Sequence, residues 1–378
     1  MDNLKLNYDD ITIVPEVITD ICSRSECNPY DEGGYLPIFA SCMSSVVSIE
    51  NAKDFNDAKI RVVIPRSYSL EERFEYLKKN TVNFVAFSME EARTCFHKES
   101  NVCPPSSIEP GWPIHICIDL ANGHMNCLLE LVKQIKADYG DKVKIMTGNI
   151  ANPETYRYYE EAGVDFCRCS IGSGNACLTA SNTGIFYPVF SLLREVWEIK
   201  TSINGKCKII ADGGIRGYRD IQKALIYADY VMIGSLFNKA IESAGKTTYG
   251  TFYWNVRGKK IARPIKTLIY FGKEVPKEKY DDAYSLVKAN KLTVWKEFYG
   301  MASKVAQKKI NEATNKNNAC IKTSEGLVKY QKVEFNLGGW SNNECDYLKS
   351  AMSYTNSKTL EEYKNSKWVT ENNIVFNK

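Results

Sequence analysis

Lys208-Ile-Ile-Ala-Asp-Gly-Gly-Ile215 holds a short apolar run, Lys208–Ala211, that leads into an aspartate and two glycines just ahead of a helical-looking stretch, Tyr218–Tyr227. A continuous apolar strand followed by an amphipathic helix is the unit of a parallel sheet covered by helices. The unit recurs along the first two-thirds of the chain. The other apolar runs are Leu36–Cys42, Arg61–Ile64, Val82–Phe87, Ile114–Leu120, Val143–Thr147, Asp165–Ser170 and Tyr230–Ile233. Between them lie helical stretches such as Ser69–Lys79, Met125–Tyr139, Pro153–Ala162 and Val189–Thr201. Eight such units predict an α/β fold, a (β/α)8 TIM barrel; a doubly wound open sheet is the competing arrangement.

A barrel places its chemistry just after the strand C-termini and holds phosphate with the loops after strands 7 and 8. The seventh run ends in Asp212-Gly-Gly214 before a helix whose N-terminal amides could hold an anion. The eighth ends in Met232-Ile-Gly-Ser-Leu-Phe237, with a glycine and a hydroxyl in the other expected place. The sixth leads into Ser170-Ile-Gly-Ser-Gly-Asn-Ala-Cys-Leu-Thr-Ala180, and the fourth brings Asp119 to the same face. In the cysteine loop Gly172 and Gly174 allow sharp bends, and positive potential there would favour the Cys177 thiolate. A lone cysteine after two glycines is more often a small buried hydrophobe. Its company, a carboxylate and a phosphate cradle, makes Cys177 a candidate nucleophile.

Composition narrows the class. The 378 residues carry 49 Lys and Arg against 45 Asp and Glu, a net charge of +4 too small and dispersed for nucleic-acid binding. No apolar run approaches a membrane span, and the start, Met1-Asp-Asn-Leu-Lys-Leu6, has no signal-peptide character. Thirteen cysteines without C-x-x-C or Cys/His ligand spacing read as reduced thiols, so a cytoplasmic location is expected. The three histidines lack metal-ligand company, and His124 reads as structural.

Over almost its whole length the chain resembles the IMP dehydrogenase/GMP reductase family. The resemblance lies in Asn7-Tyr-Asp-Asp-Ile-Thr-Ile-Val-Pro15, Ser23-Arg-Ser-Glu26, Leu36-Pro-Ile38, Ile118-Asp-Leu-Ala-Asn-Gly-His124, Gly148-Asn149 and Ala162-Gly-Val-Asp165. It continues through the cysteine loop, Ile210-Ala-Asp-Gly-Gly214, Met232-Ile-Gly-Ser235, Tyr299-Gly-Met-Ala-Ser303 and Thr323-Ser-Glu-Gly326. Ile64-Pro-Arg-Ser-Tyr-Ser-Leu70 runs almost directly into the third strand, so no regulatory CBS pair is inserted there. The expectation is one barrel domain over 1–378, with a mobile active-site segment around 300–330 and a C-terminal extension at 331–378.

Within the family the reductases are the better match. Dehydrogenases usually carry an Arg-Tyr pair in the mobile segment, and Gly300–Thr323 contains no arginine; reductases show Ser-Glu-Gly, as at Ser324-Glu-Gly326. The resemblance implies NADPH-dependent conversion of GMP to IMP and ammonia through a Cys177 adduct at purine C2. Thr179 and Glu325 would form the proton-donor pair. Asp212 would hold the ribose hydroxyls, and Gly213, Gly214, Gly234, Ser235 and Tyr299 the phosphate. Gly300, Met301 and Met43 would border the purine; Arg66, Asp119, Asn122 and Gly172 would border the nicotinamide. The carbonyls of Gly172, Gly174 and Cys177 could ligate potassium, as this loop does in dehydrogenases. Family members are usually homotetramers.

Several positions depart from the family pattern: Ser41-Cys-Met43 after the first strand, Pro65-Arg66 for a His-Lys pair, Asn175 for a serine and Ala180 for a basic residue. The third-strand loop, Phe87-Ser-Met-Glu-Glu91, adds carboxylates that would oppose the second phosphate of NADPH, so NADH or NAD also fits. The long stretch Gly245–Lys296 could cover the site or a subunit contact. Three alternatives remain: an IMP dehydrogenase without the insert, a member acting on a modified or deoxy purine nucleotide, and a nucleotide binder without catalysis. The Asn- and Lys-rich Val305–Thr323 is expected to be poorly ordered without ligand.

Overall fold

A computed structural model describes residues 4–97, 113–175, 177–254, 260–265, 293–314, 323 and 326–371. Eight parallel strands close on themselves: β1 (Ile38–Ala40), β2 (Arg61–Ile64), β3 (Phe84–Phe87), β4 (Ile114–Asp119), β5 (Val143–Ile150), β6 (Phe166–Cys169), β7 (Lys208–Asp212) and β8 (Tyr230–Ile233). The ring is sealed by β1 against β8, with Ile38 opposite Val231 and Ala40 opposite Ile233. Closure excludes the open sheet.

Side-chain alternation explains why the strands read as unbroken apolar runs. Phe39, Val63, Phe84, Cys117, Met146, Ile210 and Met232 fill the barrel, while Ile38, Val62, Val85, Ile116, Ile145, Ile209 and Val231 pack under the helices. Helices follow the strands at Ala52–Asp57, Leu70–Lys79, Met89–Cys95, Asn126–Tyr139, Thr155–Ala162, Val189–Ser202 and Tyr218–Leu225. Two start in reciprocal caps, Ser69 with Glu72 and Ser88 with Glu91.

After β8 the chain leaves the barrel. It builds an antiparallel sheet from β9 (Thr247–Trp254), β10 (Lys260–Ile265), β11 (Thr293–Tyr299) and β12 (Val328–Lys332), in the order β10-β9-β11-β12. It then returns as the helix Leu337–Tyr354, which packs between Tyr218–Leu225 and Ala52–Asp57. Trp340 anchors it, stacked on Tyr218 at 5.3 Å and edge-on to Phe237 at 4.8 Å. The eighth outer helix therefore comes from within the stretch expected to be a C-terminal extension. The chain ends also meet, as Ile11–Ile13 pairs antiparallel with Trp368–Thr370.

Lys304–Ala313, which overlaps the start of the segment Val305–Thr323, is a helix. Ser303 caps it by accepting the Ala306 N–H at 3.2 Å, and Ala306 is buried. Ser324 and Glu325 lie outside the described residues.

Candidate active site

A cavity of about 750 Å³ opens at the C-terminal ends of the strands, within the usual range of small-molecule sites. Cys177 lies in its wall with an exposed side chain, and its thiol donates to the Thr179 hydroxyl oxygen at 3.3 Å. Thr179 opens the short helix Thr179–Thr183. The loop turns sharply before it: Gly172 has φ +83, and an added Cβ there would come within 2.7 Å of the Ala180 methyl. The Cys177 N–H donates to the Gly174 carbonyl at 2.9 Å, which engages one of the three carbonyls that could ligate potassium. Gly326, next to the undescribed Glu325, forms an antiparallel bridge with Cys177. Gly326 and the cysteine loop therefore meet backbone to backbone.

The strand 7 and strand 8 loops adjoin this thiol. Gly213 and Gly214 have φ +93 and +78, a backbone region that strains any other residue. Gly234 lies so close to Met43 that a Cβ would approach Sδ to 2.6 Å. The Asn175 side-chain amide donates to the Ser235 hydroxyl at 3.2 Å, joining the cysteine loop to the strand 8 loop. Gly300 and Met301 also line the cavity. Tyr299 and Asn122 are not among its lining residues. Tyr299 is 1% exposed, its hydroxyl held by Ser44 at 3.1 Å and by the Lys309 ammonium at 2.8 Å. Asn122 instead accepts the His124 N–H through its side chain at 3.0 Å.

The floor of the cavity carries charge. Arg168, on β6, reaches Asp212 Oδ2 through Nε at 2.8 Å and Asp119 Oδ1 through Nη1 at 3.0 Å. Arg66 Nε donates to Asp119 Oδ2 at 3.3 Å, and Asn149 Nδ2 to Asp212 Oδ2 at 2.7 Å. Two carboxylates thus face two guanidinium groups, the balance a buried charge requires. Burial pushes the Asp119 carboxyl up, but the Arg66 and Arg168 cations outweigh it and hold it below the usual carboxylate range. The neighbouring Cys42 thiol is pushed well above its usual range, first by contact with the Cys117 thiol and then by burial and Asp119, so it remains a neutral donor.

Arg168 and Asn149 line the cavity but are not assigned to the site by the sequence reading, which quotes Asn149 only within the Gly148-Asn149 motif. Asn149 enters the site because β5 slips register between Gly148 and Ile150, a bulge that re-aims a side chain. Gly148 permits it: a Cβ there would meet the Arg168 carbonyl oxygen at 2.5 Å. Both residues had a signal: an arginine inside an apolar strand, two positions beyond Phe166 on the same face, and an Asn after a strand glycine.

His124 is structural as expected, receiving the Ala151 N–H on Nε2 at 3.1 Å and pairing through Nδ1 with the Thr155 hydroxyl at 2.9 Å. Glu91, one of the added carboxylates near β3, is held by the buried Arg73 at 2.6 Å. Among the described residues no cluster of three His, Cys, Asp or Glu side chains could hold a metal ion, and no helix is long and apolar enough to cross a membrane.

Comparison with known proteins gives the same picture. The family model described as "IMP dehydrogenase / GMP reductase domain" matches residues 114–266. A GMP reductase of Streptococcus pyogenes serotype M5 is 30% identical over 282 residues, 69% of this chain and 83% of the relative. That of Streptococcus agalactiae serotype V is 30% identical over 286 residues, 69% of this chain and 83% of the relative. That of Vibrio vulnificus is 31% identical over 256 residues, 64% of this chain and 71% of the relative. With its closed barrel and cysteine loop, the chain belongs to the IMP dehydrogenase/GMP reductase family of nicotinamide-dependent oxidoreductases.

Proposed function

We propose that the protein is a GMP reductase: GMP, NADPH and two protons give IMP, ammonium and NADP. The observation that carries this is the exposed Cys177 thiol in the cavity wall, bonded to Thr179 and bridged through its backbone to Gly326, beside Glu325. The arginine-free segment Gly300–Thr323 and the Ser324-Glu-Gly326 sequence favour the reductase branch over the dehydrogenases.

The reaction divides among these residues as follows. Cys177 adds to purine C2 as a thiolate, forming a C–S bond. The exocyclic amine then leaves from C2, and because an amine departs poorly until protonated, the site needs a proton donor beside the sulfur. Thr179 and Glu325 fill that role. A reduced nicotinamide, which Arg66 and Asp119 would hold, would supply the hydride that C2 takes up as the C–S bond breaks and the Cys177 thiolate is returned. Asp212 accepts the ribose hydroxyls on Oδ1, which takes no protein donor among the described residues; those donors converge on Oδ2. Gly213, Gly214, Gly234 and Ser235 receive the phosphate. Arg66 and Asp119 offer a carboxamide both a donor and an acceptor, chemistry that suits a nicotinamide. The Arg73 partner of Glu91 offsets a carboxylate that would otherwise oppose NADPH.

Mass spectrometry of nucleotides after incubation of the purified protein with GMP and NADPH tests the reading. IMP is the expected product. Protein that binds GMP but forms no IMP would sink it and direct the assay to IMP with NAD.

A further inference from the structure

The mechanism above uses Asp212 and Asp119 but not the group between them. Arg168 is 6% exposed and contributes three nitrogens to two carboxylates from opposite directions. Nε and Nη2 lie 2.8 Å from Asp212 Oδ2 on the adjacent strand β7, while Nη1 lies 3.0 Å from Asp119 Oδ1 on β4. A guanidinium is planar and rigid, so tilting it to improve one carboxylate bond worsens the other. Each carboxylate is also held from its outer side, Asp212 by Asn149 at 2.7 Å and Asp119 by Arg66 at 3.3 Å. The four side chains and the shared guanidinium form one connected chain across the cavity floor, where low dielectric strengthens each bond.

We propose that Arg168 is a positioning residue that couples the two ends of the cavity. A nucleotide bound through Asp212 shifts that carboxylate, the shared guanidinium passes the shift to Asp119, and the affinity for the nicotinamide dinucleotide changes. This rests on the reading of Asp212 and Asp119 given under the proposed function. Coupling of this kind is reciprocal: the dinucleotide must change nucleotide affinity by the same factor.

Calorimetric titration of NADP into the protein, alone and saturated with GMP, measures the coupling without turnover, because reduction of GMP consumes NADPH and not NADP. In the wild type GMP is expected to change the NADP dissociation constant by about fivefold or more. In Arg168→Met the ratio falls to about twofold or less, with the circular dichroism spectrum unchanged. Removing the cation leaves two carboxylates facing each other and could prevent folding. Asp119→Ala, which has no acceptor for Arg168, therefore cuts the same chain from its other end while leaving the Arg168–Asp212 bonds in place. It should lose the coupling while GMP affinity stays within about threefold.

Folded variants that keep the wild-type ratio overturn the proposal, as does a wild-type ratio near one. Wild-type protein that binds no GMP at all overturns the nucleotide reading as well, an outcome visible in the first titration and distinct from bound GMP without coupling.

Discussion

At the N-terminal ends of the strands the barrel interior is filled by rings: Phe39, Phe84, Phe166 and Tyr230 meet at centroid distances of 5.1 to 6.2 Å, most of them edge to face. Towards the C-terminal ends the interior changes character. Arg168 lies two residues beyond Phe166 on β6, Asp212 two beyond Ile210 on β7, and Asp119 two beyond Cys117 on β4, each on the same face of its strand. The aromatic end can be packed tightly because the one hydroxyl among these four rings, on Tyr230, donates to Asp31 Oδ2 at 3.3 Å. The charged end tolerates burial only because each carboxylate has a cation and the total charge of the four groups cancels. One end carries stability and the other chemistry, and the strand period of two keeps both on the inner surface.

The sharpest way to break that division is to remove the proposed nucleophile. Cys177→Ala should lower kcat for GMP reduction by on the order of 10³-fold or more while GMP affinity and the thermal midpoint stay near wild type. Preserved turnover would end the covalent mechanism. The reciprocal change is Phe84→Ala, which deletes a ring stacked on His115 at 4.8 Å and packed on Phe166 at 5.1 Å. A loss of about 3–5 kcal/mol is expected, seen as a lower thermal midpoint, with the GMP dissociation constant unchanged at a temperature where the variant is folded. A weakened GMP site in that variant would mean that the two ends are not independent.

The same contrast explains what the sequence reveals. Every barrel strand lies in or overlaps an apolar run, with β5 continuing past Thr147 to Ile150 and β7 past Ala211 to Asp212, because a strand buried on both faces has a signature that survives without tertiary information. The loops after strands 6, 7 and 8 are legible because glycine and cysteine are chemically conspicuous. Arg168 is harder to see: inside a run counted as strand, its role depends on two carboxylates distant in sequence that only closure of the barrel brings near. The sheet after β8 escapes for a similar reason, since β9 and β11 are joined across a long intervening stretch. The helix at Lys304–Ala313 is concealed by its polar composition, with its cap and the buried Ala306 as the local signs.

Outside the barrel, Glu344 tests whether charge balance is a general rule of this molecule. It is fully buried on the helix Leu337–Tyr354, accepts the Gln222 side-chain amide at 3.2 Å, and has no cation among its described partners. Its Oε2 and the Gln222 Oε1 both lack partners. A protonated carboxyl could supply the missing donor, and burial raises the Glu344 carboxyl well above its ordinary range in the folded state, the Gln222 hydrogen bond opposing only in part. The sign follows from linkage. The unfolded chain releases this proton near pH 4.5, whereas the folded chain keeps it, so the contribution of Glu344 to stability is greatest below that pH and declines as pH rises towards the folded value. Each pH unit in that window costs up to about 1.4 kcal/mol, and Glu344→Gln, neutral in both states, removes the slope. Thermal midpoints of the wild type and Glu344→Gln measured from pH 5 to 8 should therefore separate progressively, the wild type losing ground as pH rises. Parallel curves would mean that Glu344 is ionised in the fold, and that a buried carboxylate here stands without the counter-charge that the barrel mouth supplies to Asp119 and Asp212.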